Sequence, residues 1–144
     1  MMTAFLIDTN VLSELMRTQP ESTVMTWFDR HVDTVCFTSS ITKAEIFLGI
    51  ALLPESIRRT RLENAAQKMF SEDFTERCLP FDKHAAIVYA ELVAHRKRIG
   101  KPVCTEDAQI AAIAVTENLT LVTRNIKDFT EIEGLKLINP WETA

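Results

Sequence analysis

Five side chains that could share one reaction stand just beyond apolar segments of this chain: Asp8, Glu45, Asp107, Asn125 and Asp128. Each has a plain structural reading when taken singly. Asp8 could start a turn, Asp107 suits the first turn of a helix, where free N–H groups and the macrodipole favour an acid, and Asn125 and Asp128 suit a turn. Glu45 is harder to explain that way. Its helical neighbours at i−4, i+3 and i+7 are Ile41, Leu48 and Leu52, a core-facing stripe on which an unpaired charge is costly. Taken together, the acids suggest a crevice. Carboxylates packed closely repel one another unless a cation or shared protons compensate. A hard divalent ion with oxygen ligands, Mg²⁺ or Mn²⁺, is the natural partner. Such an ion suits phosphoryl chemistry, because it polarises a phosphate oxygen, acidifies water and stabilises a leaving oxygen.

The elements around these residues must bring them together. "FLI" at residues 5–7 reads as a buried strand within a first strand at 3–8. Thr9 or Asn10 is expected to cap a helix over 11–16, which Gln19-Pro20 ends. A short helix at 22–31, a β-branched strand at 35–39 and a helix from 39–42 to about 53 follow, the last stopped by Pro54. Residues 55–70 read as a longer amphipathic helix with Leu62, Ala65, Ala66, Met69 and Phe70 as its apolar stripe. Weak strand character at 77–80 precedes a helix capped by Asp82 that runs to 99, with Gly100 at its C′ position. A helix over 105–118 and strands at 120–123 and 135–138 complete the pattern. On the 105–118 helix, Asp107 lies above Ile110, Ala111 and Ala114, the buried side. Alternating strands and helices argue for an α/β fold with a mainly parallel sheet and helices on both faces. Such sheets bind ligands beyond the carboxyl ends of their strands, where the acids fall.

At 144 residues the chain reads as one domain, 1–144. A net charge of −4 is not the basic balance usual in a nucleic-acid binder, yet acids gathered around a metal would give it while the ion reverses the local field. Met1-Met2-Thr3-Ala4 carries no basic residue and Asp8 interrupts the apolar run, which argues against a signal peptide and for a cytoplasmic protein. No apolar stretch approaches the roughly 20 residues that span a bilayer. The 3 cysteines, Cys36, Cys78 and Cys104, form no CxxC pair and are expected to be buried reduced thiols. No Ser-His-Asp set, GxxxxGK[ST] loop or GxGxxG motif is present.

The segments "LIDTNVLSEL", "SSITKAEIFLGI", "TEDAQIAAIA", "LVTRNIKDF" and "LINPW" together resemble, in order and nearly end to end, a PIN-domain protein. More narrowly they resemble a VapC-type toxin of a bacterial type II toxin–antitoxin pair, the subgroup that includes FitB-like proteins. The resemblance implies a PIN fold, a Mg²⁺- or Mn²⁺-dependent ribonuclease, a homodimer, and a cognate VapB-type antitoxin that blocks the site. It places the family's acids on Asp8, Glu45 and Asp107, with Asp8 and Asp107 as metal ligands. The fourth position, an Asp in many PIN domains, falls on Asn125, which brings a carbonyl oxygen but no charge. The resemblance also places Thr123 near the metal and Asp128 at the edge of the site. Glu106 departs from the small residue usual before the third acid, and is either a solvated first-turn acid or an extra ligand at the rim. Thr9 and Asn10 start a helix and help to orient Asp8.

Asn10 also argues against a haloacid-dehalogenase-type phosphatase, whose motif needs a second acid there. The alternative of a different class is a non-catalytic PIN-fold module that holds RNA or a protein. Arg58, Arg59 and Arg61, or Lys97, Arg98 and Lys101, are candidates for phosphate contacts, the first set at the rim of an RNA groove; each run otherwise makes a solvated helix face. Trp27 and Trp141 read as packing residues. Phe47, Leu48 and Leu52 exceed what a small core needs and point to a dimer.

Overall fold

Phe5, Leu6 and Ile7 are almost fully shielded because their strand, β1 (Ala4–Ile7), lies in the middle of the sheet. The structure, a computed structural model, describes residues 4–142, so Thr3 of the expected first strand lies outside the described residues. The strands β1, β2 (Val35–Ser39), β3 (Cys78–Leu79), β4 (Thr120–Val122) and β5 (Leu137–Ile138) pair in the order β3-β2-β1-β4-β5, every pair parallel. Leu6 pairs with Phe37 on one side and Leu121 on the other.

Successive side chains of a strand point to opposite faces, and β1 splits the core accordingly. Phe5 and Ile7 join Val122 in a cluster with Val11 and Leu12 of α1 (Thr9–Leu15), Trp27 of α2 (Ser22–Arg30), Ile46 and Ile50 of α3 (Ser40–Ala51), and Ala66 of α4 (Ile57–Lys68). Leu6 and Leu121 face the other way, toward Ala85 and Leu92 of α5 (Lys83–Arg98) and Ile110 and Ile113 of α6 (Thr105–Thr116). Helices thus cover both faces, as the alternating pattern predicts. From β1 the chain moves outward through β2 and β3, then returns to β4 on the opposite side of β1. The strand order reverses between β1 and β4, and the region outside the carboxyl ends at such a reversal is where sheets of this kind bind ligands.

Several local expectations are corrected. Asp8, not Thr9 or Asn10, is the N-cap of α1: its backbone is extended and its carboxylate accepts from Thr9 N. The 55–70 helix is α4 followed by a π-helical turn, Met69–Asp73, closed by Phe74 N donating to Met69 O. The wider turn lets Met69, Phe70 and Phe74 all reach the core, while Ala65 is exposed. On α3 the buried positions are Thr42, Ile46 and Ile50. Of the stripe that carries Glu45, Ile41 packs against the core and Glu45 is half-buried, but Leu48 and Leu52 are 60% and 76% exposed, so the stripe faces the core only at its N-terminal end. None of the cysteines is buried: Cys36 and Cys78 are partly covered and Cys104 is exposed, all three as free thiols. Asp82 caps α5 and Gly100 follows it at φ +74°, as expected. Trp27 packs against Phe5 and stacks on His31, and Trp141 packs beside the first of the two clusters. Among the described residues, no helix is long and apolar enough to cross a membrane.

One tie escapes sequence inspection. Arg96 on α5 is 4% exposed, and its guanidinium donates to the backbone carbonyls of Lys101, Asp128 and Thr130. It fastens the end of α5 to the turn after β4. Arg96→Met fills the same space but strands these carbonyls. Urea unfolding should show a loss of about 2–4 kcal/mol; a loss below about 0.5 kcal/mol, as at an ordinary surface site, would count against this role.

Candidate active site

Asp8 is the innermost acid, 4% exposed at the end of β1. Its backbone N–H donates to Val122 O at 2.9 Å, which draws the carboxyl ends of β1 and β4 together. The pairing sets the residue after β4 beside it. Thr123 Oγ1 donates to Asp8 Oδ2 at 2.7 Å, and Thr9 N donates to Asp8 Oδ1 at 2.9 Å. The Thr123 hydroxyl in turn accepts from Asn125 N at 3.2 Å.

Glu45 comes from α3, whose start is fixed by Ser39: its Oγ accepts from Thr42 N at 3.1 Å. Glu45 is half-buried, and its Oε1 accepts from Thr9 Oγ1 at 2.6 Å. Thr9 therefore touches two of the acids, one through its N–H and one through its hydroxyl. Asp107 is half-buried in the first turn of α6, above fully buried Ile110, Ala111 and Ala114 as its spacing predicts. The Cys104 thiol hydrogen-bonds to its carboxylate.

The electrostatics bind these positions into one group. Burial is the main force pushing the Asp8 carboxyl up from its ordinary 3.8 to about 6. The hydrogen bonds from Thr123 and Thr9 pull it down, and the negative charges of Asp107 and Glu45 add to the rise. Burial also raises Asp107; the Cys104 bond opposes it, and Asp128 and Glu106 push it further up. Among the described residues, the recorded salt bridge, Arg17–Glu14, involves none of these acids.

Donor chemistry decides what this excess negative charge suits. Oxygen ligands with uncompensated charge fit a hard divalent ion. Among the described residues, no three carboxylates, histidines or cysteines close on one point as a protein-only cage would. Mg²⁺ does not require that, since it is usually held by one or two carboxylates and keeps several waters. The residues present fit an ion held in this way.

The remaining candidates separate into near and far. Asn125 precedes the 3₁₀ turn Ile126–Phe129 without a side-chain capping bond and is exposed. Asp128 is half-buried in that turn, with its charge felt at Asp107. Glu106 is exposed and acts on Asp107 only through its charge. The Asn10 side chain turns to the loop after β4: its Oδ1 accepts from Arg124 N at 3.4 Å, tying α1 to that loop. Arg58 and Arg61 line an open groove of about 950 Å³ together with Ser13, Met16 and Arg17. Arg59, Lys97, Arg98 and Lys101 do not line it. Sequence reasoning missed Arg17 because the groove joins α1 and its following loop to α4 across about 40 residues, with no periodicity linking them. It also missed Thr42, which falls among ordinary helix-start residues.

The parallel sheet with acids beyond the carboxyl ends of its strands is the arrangement of a PIN domain. The PIN domain model matches residues 5–135, and the chain belongs to that family. It is 39% identical over 138 residues to the VapC ribonuclease Y4jK of Sinorhizobium fredii, an alignment covering 96% of this chain and 98% of that protein. It is 36% identical over 136 residues to the toxin FitB of Neisseria gonorrhoeae, covering 94% and 97%. The crystal structure of FitAcB from Neisseria gonorrhoeae matches with a TM-score of 0.87 at 34% identity, over 96% of this chain and 99% of that one.

The buried charge has a measurable cost. Because the folded Asp8 value lies above the unfolded one, its contribution to stability is fully present below pH 3.8 and is lost as pH rises through about 6. Above that, ionised Asp8 costs the metal-free protein about 3 kcal/mol. Asp8→Asn keeps an acceptor for Thr123 and removes the charge. In EDTA at pH 8 it should be more stable than the parent by about 1–3 kcal/mol, with the gap closing as pH falls toward 4. A variant less stable than the parent at pH 8 would contradict this assignment.

Proposed function

We propose that this chain is the toxin of a type II toxin–antitoxin pair, a cytoplasmic endoribonuclease that uses Mg²⁺ or Mn²⁺ and is restrained by a cognate VapB-type antitoxin. Residues 1–144 form its single domain in this reading. The observation that carries it is Asp8: a nearly buried carboxylate, held by Thr123 and Thr9, whose charge is raised in energy by burial and by the acids around it. The ribonuclease and toxin names of the relatives support the same reading.

Asp8 and Asp107 would hold the ion. When bound, a divalent cation offsets the carboxylates, polarises a phosphate oxygen and acidifies water. The chain's own groups do the rest. Thr123 keeps Asp8 oriented, and Thr9 keeps Glu45 beside it. Glu45 is the acid left to take the proton from attacking water, since its carboxylate is half-exposed while Asp8 is enclosed. Asn125 offers a carbonyl oxygen at the fourth corner without charge, so a second cation lacks the carboxylate it would have there; Asp128 and Glu106 act on Asp107 from the rim through their charges. Arg58 and Arg61 give the groove that runs along α1 the charge for RNA phosphates. The exposed Leu48 and Leu52 on α3 supply apolar area for a homodimer.

Antitoxin-free protein should cut RNA in Mg²⁺ or Mn²⁺, stop in EDTA, and run as a dimer by light scattering. Asp8→Asn and Asp107→Asn should each lower the cleavage rate at least about 100-fold, beyond the 10–100-fold typical of groups that only orient a ligand. Undiminished cleavage by Asp8→Asn would overturn the metal mechanism. RNA binding without cleavage by the parent protein would select the non-catalytic binding module instead.

A further inference from the structure

We propose that Thr42 is a positioning residue for Glu45, acting through the hydroxyl of Thr9; this rests on the reading of Glu45 as an active-site acid. Thr9 has one hydroxyl proton and two acceptors within reach, Glu45 Oε1 at 2.6 Å and Thr42 Oγ1 at 3.0 Å. The shorter contact has the length of an O–H···O⁻ bond, so the proton belongs to the carboxylate. The contact between the two threonines must then be donated by Thr42. The order is Thr42 to Thr9 to Glu45.

The local structure holds this relay still. Thr42 is fully buried, out of reach of solvent that could take its proton. Its backbone is fixed by the bond from its N–H to Ser39 Oγ. Both threonines are β-branched and therefore stiff about χ1. Glu45 has a longer, unbranched side chain and is only half-buried, next to exposed Leu48, so the hydroxyl contact is what fixes its carboxylate. Thr9 also donates its N–H to Asp8 Oδ1, so the relay fixes Glu45 relative to Asp8. Thr42 thus lies one step behind the site yet sets the separation of two of its acids.

The test compares Thr42→Val, which removes the hydroxyl at similar volume, with Thr42→Ser, which keeps it. Three quantities are read on folded protein: side-chain order of Glu45 by ¹³C relaxation without metal, Mn²⁺ affinity by calorimetry, and kcat and KM for RNA cleavage. Thr42→Val should free the Glu45 side chain, weaken Mn²⁺ binding about tenfold and lower kcat with KM unchanged. Thr42→Ser should restore all three. Unchanged Glu45 order and Mn²⁺ affinity in Thr42→Val would overturn the proposal, as would a Thr42→Ser variant that behaves like Thr42→Val. If Thr42→Val does not fold, Thr9→Val against Thr9→Ser makes the same comparison. Should the parent bind no Mn²⁺ and cut no RNA, the nuclease reading fails by itself. Glu45 order then decides the relay: freed by loss of the hydroxyl it stands, unmoved it falls.

Discussion

A buried strand that ends in a charge is the constraint on which this molecule is built. β1 is shielded on both faces, so its next residue, Asp8, cannot reach bulk water by turning aside. It is accommodated by neighbours from distant parts of the chain. β4 must lie alongside to bring Thr123, α1 must begin at once to bring Thr9 N–H, and α3 must start close by to set Glu45 against the Thr9 hydroxyl. The strand order meets all three demands, since β1 lies between β2, which leads into α3, and β4, which leads into Thr123. The same reversal of order lies at the carboxyl ends where parallel sheets bind ligands. The geometry that shelters the charge is the geometry that offers it to a ligand.

How much of this was legible in the sequence depended on the range of the forces involved. The strands β1 and β2 showed in short apolar and β-branched runs, the cap of α5 in the single residue Asp82, and the start of α3 within the polar run 39–42, where Ser39 is the cap, because those signals are local. Asp107 was placed correctly because Ile110, Ala111 and Ala114, its neighbours at i+3, i+4 and i+7, are all apolar and buried. The same rule held at Glu45 only on its Ile41 side. Leu48 and Leu52 are as apolar as any core residue, yet α3 packs through Thr42, Ile46 and Ile50. Hydrophobic spacing shows which face avoids water, not whether the core or another surface covers it. Asp8 as its own cap, the Thr42–Thr9–Glu45 relay and the Arg96 clamp depend on contacts across 30 residues or more, or on a buried polar group, and neither leaves a periodic trace.

An acidic chain handling RNA is less paradoxical once its charges are located. The negative charge gathers where burial raises its energy, at Asp8 and Asp107, and invites a cation. Positive charge from Arg58 and Arg61 gathers in a groove that shares α1 with the site, beside Arg17, whose guanidinium is paired with Glu14. Net charge averages over these regions and hides both. At Asp107 the nearby charges of Asp128 and Glu106 add to the rise, while Asn125, just before the turn that carries Asp128, brings no charge.

The central claim is that Asp8 carries a charge the fold disfavours until a divalent cation relieves it. Titration of the Asp8 carboxyl carbon by ¹³C NMR, without metal and then in Mg²⁺, tests this directly. Without metal the midpoint should fall at about 6, and Mg²⁺ should drive it well below the ordinary aspartate value. A metal-free midpoint near 3.8 that Mg²⁺ does not move would contradict it.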